Sequence, residues 1–203
     1  MDTLEAILAR RSIRKFKREP IPDSVIERVL KAGIAAPSGQ NRQPWQFYVL
    51  TGQGIEDLAA AVELWAGARG RRSRFRTGAE HLLPALRSAA AAILVYDRMR
   101  IPLGQKVLLS LRPDLTRILD RMDTQSIGAA IENMALAGTH LGLGTLWVNY
   151  ILFAAKEIDD LLDERGAAAP RGSLVAGLLI GAPDETPGPR ARRSLEDSAT
   201  WLR

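Results

Sequence analysis

Five residues near the N-terminus, Arg10-Arg11-Ser12-Ile13-Arg14, set three guanidinium groups and a hydroxyl side by side. A second segment, Ala36-Pro37-Ser38-Gly39-Gln40-Asn41-Arg42-Gln43-Pro44-Trp45, carries short polar side chains in a loop stiffened by two prolines. Guanidinium forks pair with phosphate, and beside a ring system they stabilise negative charge that develops there. Ser38, Asn41 and Gln43 offer hydroxyl and amide groups that suit sugar-like hydroxyls, phosphate oxygens or ring edges. Together the two segments have what is needed to hold a phosphorylated, planar ligand without a metal or a glycine-rich phosphate loop. A solvated basic turn and an ordinary polar connection are the plainer readings of each piece alone; the combination is what points to a site.

Composition narrows the chemistry. The chain has no cysteine, which excludes disulfides, thiol nucleophiles and cysteine-bound metal or iron-sulfur centres. It has two histidines, His81 and His140, too few to supply a metal centre, and His140 at the end of an apolar helical stretch reads as structural. Redox chemistry must then come from a bound organic cofactor, with no catalytic side-chain nucleophile. The acidic start Met1-Asp2-Thr3-Leu4-Glu5 is unlike a signal peptide, and the apolar runs fall short of the ~20 residues that span a bilayer, so a soluble cytoplasmic protein is expected. Net charge is +5, concentrated in arginine groups around residues 10–18, 69–76 and 190–193.

The elements that must position these residues follow from pattern. At 203 residues one domain over 1–203 is expected, with 183–203 as an extended arm. Asp2 or Thr3 caps a helix to about Ala9, and Val25, Ile26, Val29, Leu30 and Ile34 mark a second helix that Pro37 ends. Gln46 to Thr51 reads as a strand, followed by a helix over Glu56 to Trp65 and a basic loop or frayed helix end to Arg76. Ala89 to Tyr96 suits a strand covered on both faces. From Pro102 to Met122 the pattern is broken at Pro113 and reads as a mobile excursion, with a long helix starting at Asp123 or Thr124 and stopping at Gly142-Leu143-Gly144. Thr145 to Leu152 and Leu174 to Ile180 read as strands around a short helix from Ala154 to Leu162, giving a helix-flanked sheet of four or five strands. After Gly181 three prolines preclude a regular helix, so the tail is either disordered or laid on another surface; Trp201 and Leu202 favour docking.

With those stretches in order, the chain resembles the nitroreductase-like family of FMN-dependent oxidoreductases over nearly its whole length. The resemblance rests on Arg10 to Phe16, Ala36 to Phe47, Gly142-Leu143-Gly144-Thr145-Leu146-Trp147, and Ile180-Gly181-Ala182-Pro183-Asp184-Glu185 followed by Arg190-Ala191-Arg192-Arg193. It implies an α+β homodimer with a mostly antiparallel central sheet of four to five strands, two FMN sites each built at the subunit interface, and a C-terminal arm reaching onto the partner subunit. By that likeness Arg10, Arg11 and Ser12 hold the FMN phosphate and Arg14 lies at the pyrimidine edge of the flavin. Pro37, Ser38, Gly39 and Asn41, in the loop that also carries Gln43, come from the partner, and Arg190 and Arg192 close on the phosphate. Backbone groups of Val148, Asn149 and Tyr150 border the ring, where many relatives carry two glycines in place of Asn149-Tyr150; bulk there would narrow the pocket or select another substrate.

The implied activity is reduction of electron-poor acceptors, such as nitroaromatics or quinones, by NAD(P)H in a ping-pong cycle. Specialised branches of the family, including reductive dehalogenases, azoline dehydrogenases and an enzyme that fragments its own flavin, stay open, as does a non-catalytic FMN-binding protein. The Arg69 to Arg76 cluster either attracts NADPH or an acidic substrate or is a solvated helix end. A nucleic-acid-binding module, suggested by the basic clusters, is disfavoured by the 5% aromatic content and by the lack of a nucleic-acid motif.

Overall fold

The computed structural model describes residues 1–68, 74–98, 113–167 and 172–202. Four strands, β1 (Trp45–Thr51), β2 (Ala91–Asp97), β3 (Gly144–Val148) and β4 (Leu174–Gly181), form one antiparallel sheet in the order β1-β2-β4-β3. The two central strands are the two most apolar ones, since both of their faces are covered by helices. Alternation along β2 divides the core. Ala91, Ile93 and Val95 face α2 (Asp23–Ile34) and α5 (Pro113–His140), whereas Ala92, Leu94 and Tyr96 face α3 (Gln53–Ala68), α4 (Arg74–Ser88) and α6 (Ala155–Glu164). Tyr96 is fully buried, and its hydroxyl donates to Asp159 Oδ1 at 2.7 Å, which satisfies the one polar atom that its burial takes from water.

Helix α1 (Thr3–Ala9) begins at the expected cap: Asp2 accepts from the Glu5 backbone N–H, and Glu5 accepts from that of Asp2, both at 2.8 Å. His140, in the last turn of α5, brings Nδ1 within 3.0 Å of the Met1 carbonyl oxygen, the structural use its context suggested.

Three expectations are corrected. Pro113 does not break a helix but begins one, because a proline at the first helical position has no N–H to lose there; α5 therefore runs 28 residues and takes up 113–122 of the expected 102–122 excursion, the rest of which lies outside the described residues. Helix α4 occupies a stretch that the pattern left unassigned beyond its basic start, where residues 69–73 of the arginine cluster lie outside the described residues. The third strand ends at Val148 rather than Leu152, and a 3-10 turn from Tyr150 to Ala154 leads into α6. From Pro183 onward the arm has no regular helix or strand, and Trp201 and Leu202 are 74% and 94% exposed. Among the described residues no helix is long and apolar enough to cross a membrane.

Candidate functional site

The N-terminal basic segment is held as an irregular strip along the sheet. Ile13 and Phe16 are buried, Arg14 and Lys15 between them are exposed, and Ser12 just before them is half-buried. Ser12 bridges Thr145 in parallel, with the Ile13 N–H donating to the Thr145 carbonyl at 2.9 Å; Phe16 bridges Pro183, and the Lys17 N–H donates to the Ala182 carbonyl at 2.9 Å. Two glycines make this approach possible. A Cβ on Gly144 would lie 2.9 Å from Ile13 Cγ2, and one on Gly181 would lie 2.8 Å from Phe16 Cδ1. Gly144→Ala is therefore expected to cost about 1–3 kcal/mol, read as a lower urea midpoint with an unchanged slope, because Ile13 is branched at Cβ and cannot swing away.

The arginines of the strip face different ways. Arg11 lines a cleft of about 530 Å³ with Ile13, Gly144, Glu185 and Pro187, and its Nη1 donates to the Pro187 carbonyl at 3.2 Å. Arg10 turns the other way and pairs with Glu132 of α5 at 3.1 Å, so a carboxylate already offsets its charge. Arg14 is exposed, its Nη1 donating to the Ser12 carbonyl at 3.2 Å. Glu185, which the sequence reading passed over apart from its place in a matched stretch, accepts from the backbone N–H groups of Arg14 and of Lys15. It ties the root of the arm to the basic strip. Pro189 lines the same cleft, and Arg190 and Arg192 follow it as exposed side chains.

The proline-bounded loop lies elsewhere. It leads into β1 at Trp45, beside Asp97 at the end of β2, whereas the basic strip sits where β4 ends at Gly181 beside Gly144. The length of β4 between those ends is about 24 Å. Within the loop the Ser38 hydroxyl accepts from the Gln43 N–H at 3.0 Å, and Gln40, Asn41 and Gln43 all have positive φ (53°, 54° and 47°). Non-glycine residues in that region cost energy and persist where their surroundings hold them, a pattern that clusters at functional sites. Part of the holding is visible: Arg42 Nη2 meets Asp123 Oδ2 of α5 at 2.9 Å, and Met122 packs on Gly39. Burial pushes the Asp123 carboxyl above its ordinary range even though the Arg42 charge pulls it down. Pro37, Asn41 and Gln43 are exposed, with Ser38 and Gly39 half-buried.

At the exit of β3, Val148 is in the core, Asn149 is exposed and Tyr150 is half-buried. Tyr150 does not line the Arg11 cleft. Its ring turns into an aromatic cluster on the α3/α4 side, 6.0 Å from Trp65 and 5.1 Å from Phe153, and it lies directly over Gly78, which leaves room for it. Burial raises the Tyr150 pKa, as that position requires.

Residues 7–181, which span the basic strip, the proline-bounded loop and all four strands, match the nitroreductase family. The chain belongs to the nitroreductase family. It is 44% identical over 193 residues to a Methanothermobacter thermautotrophicus protein named for NADH dehydrogenase and NAD(P)H nitroreductase activity, covering 94% of this chain and 82% of that one. Its fold superposes on a BluB-like flavoprotein from Clostridium difficile with a TM-score of 0.85 at 27% identity, all of both chains being covered. A Desulfovibrio desulfuricans nitroreductase solved in complex with FMN gives a TM-score of 0.70 at 28% identity, covering 100% of this chain and 98% of that one. The sheet order and helix placement described above are thus the nitroreductase fold.

Proposed function

We propose that this chain is an FMN-dependent oxidoreductase that draws electrons from NAD(P)H and passes them to electron-poor acceptors such as nitroaromatics or quinones, working as a cytoplasmic homodimer. The observation that carries the reading is the cleft lined by the Arg11 guanidinium, on a strip that Glu185 holds in place, with Ser12 next to Arg11 in the chain and the exposed Arg190 and Arg192 following Pro189, which lines it. Bound FMN supplies two-electron redox chemistry between the nicotinamide and the acceptor. Arg11 and Ser12, with Arg190 and Arg192, hold the phosphate; Arg10 supports them from its pair with Glu132. Arg14 keeps positive charge at the pyrimidine edge and so favours negative charge there. The backbone of Val148, Asn149 and Tyr150 borders the ring.

The loop of Pro37, Ser38, Gly39, Asn41 and Gln43 belongs to the same site through the partner subunit, since in one chain it lies at the far end of the sheet from Arg11. Along α5, the stretch from Asp123, which holds the loop, to Thr139, which lines the cleft, rises about 24 Å. A two-fold axis that sets one chain's loop against the other's strip makes two equal sites. Donor and acceptor then use one exposed ring face in turn, which gives a ping-pong cycle.

A second reading is a flavoprotein with a more specialised reaction, favoured by the TM-score of 0.85 to a protein named as a flavoprotein and not as a nitroreductase. Anaerobic mixing of the FMN-loaded protein with NADH or NADPH separates the two. The main reading expects bleaching of the flavin band, with colour restored by nitroaromatics or quinones. Protein that takes up no FMN, or a flavin that neither nicotinamide bleaches, contradicts it.

A further inference from the structure

Trp147 stands two residues beyond the Thr145 that pairs with Ser12, on the α5 side of edge strand β3, and it is 38% exposed. Its ring reaches α5 at Gly128, with Cη2 at an ordinary 3.7 Å from where a Cβ would sit, one helical turn from the Glu132 that pairs with Arg10. The indole is not free to tumble, because its Nε1–H donates to Asn149 Oδ1 at 2.9 Å. A large planar ring is thus fixed by a side-chain hydrogen bond and left partly uncovered beside the basic strip. Packing does not require that arrangement: leaving the indole open to water forgoes the burial that normally makes Trp stabilising, and the Asn149 contact restricts it without covering it.

We propose that Trp147 is the wall on which an aromatic electron acceptor stacks, and that Asn149 is the positioning residue that sets its plane. This rests on the flavin site proposed above. In the flavin site proposed above the strand backbone at Val148 to Tyr150 borders the ring, and the Trp147 side chain stands out of the sheet plane at the neighbouring position, on the α5 side. Aromatic stacking favours planar acceptors and does nothing for a small inorganic oxidant.

The test compares a nitroaromatic with ferricyanide as acceptor for the FMN-loaded wild type and its variants, taking the ratio of their kcat/KM values. Trp147→Leu is expected to lower that ratio about tenfold and Trp147→Phe much less. Asn149→Ala is expected to lower it several-fold with the change in KM for the nitroaromatic, and Asn149→Asp, which keeps the accepting oxygen, to restore it. The spectroscopic companion is a shift in indole emission in Asn149→Ala and not in Asn149→Asp. Ratios within twofold of wild type in all the variants overturn the proposal, as does a weakened FMN affinity in Trp147→Leu with the ratio unchanged, which would give the indole to the flavin instead. A wild type that takes up no FMN contradicts the flavin reading itself, and so is told apart from a failure of the Trp147 assignment.

Discussion

Arg11→Ala is expected to raise the FMN dissociation constant by about one to two orders of magnitude, since a hydrogen bond to a charged group is worth roughly 1.5–3 kcal/mol and its phosphate partner would be left facing an empty cleft. Titration followed by flavin fluorescence measures it. Arg10→Ala is expected to do less, because the Glu132 carboxylate at 3.1 Å already offsets the Arg10 charge. The order matters more than either value: two adjacent arginines of one motif, indistinguishable by type, are separated by where their side chains go. The expected loss for Arg11→Ala also shrinks as salt rises, because screening weakens the attraction that the variant removes. Equal effects at the two positions would mean that the Glu132 pair opens when ligand binds.

Gly78→Ala is expected to lower the melting temperature by roughly 5–10 °C, the equivalent of about 2–3 kcal/mol for a chain of this size. A Cβ there would lie 2.0 Å from Tyr150 Cε2, and the ring has nowhere to go, with Trp65 and Phe153 at centroid distances of 6.0 and 5.1 Å. Any relief must push back along Tyr150 to Asn149 and so to the indole that Asn149 holds. Loss of stability should therefore be accompanied by a shift in Trp emission. A melting temperature within 1 °C of wild type would show that the ring moves freely, contrary to its packing.

Much of the architecture was legible because it follows from burial. Strands β2 and β4 are central, both faces are covered, and their unbroken apolar runs announce it; α1 carries a two-residue reciprocal cap that can be read by eye. What was not legible depended on partners distant in sequence. Tyr150 has a strand-like side chain in a strand-like run, and the room that receives its ring is at Gly78, far away in sequence. Pro113 reads as a breaker unless it is known to be the first residue of its helix. Helix α4 hid behind an arginine-rich beginning and an internal Pro84.

The site was legible in its types more than in its roles. The arginine strip and the polar loop both stand out in the sequence, and three of the strip residues, Arg11, Ser12 and Arg14, make contacts with β3 or the arm. The pairing of Arg10 with Glu132, the anchoring of the strip by Glu185 and the clasp of the loop by Asp123 all join residues far apart in sequence, which no local pattern encodes. In the fold the strip and the loop sit at opposite ends of one sheet, and that separation makes the second subunit part of the proposed chemistry.

Hybrid dimers test that claim most directly. Two variants, Arg11→Ala in the strip and Asn41→Ala in the loop, are co-expressed with different tags and the mixed dimer is isolated, each parent dimer being nearly inactive at limiting FMN. If strip and loop come from different subunits, the hybrid holds one site with both lesions and one with none, and about half of the wild-type activity returns. If each site is built within one chain, every site in the hybrid carries a lesion. A hybrid no more active than its parents would contradict the shared site.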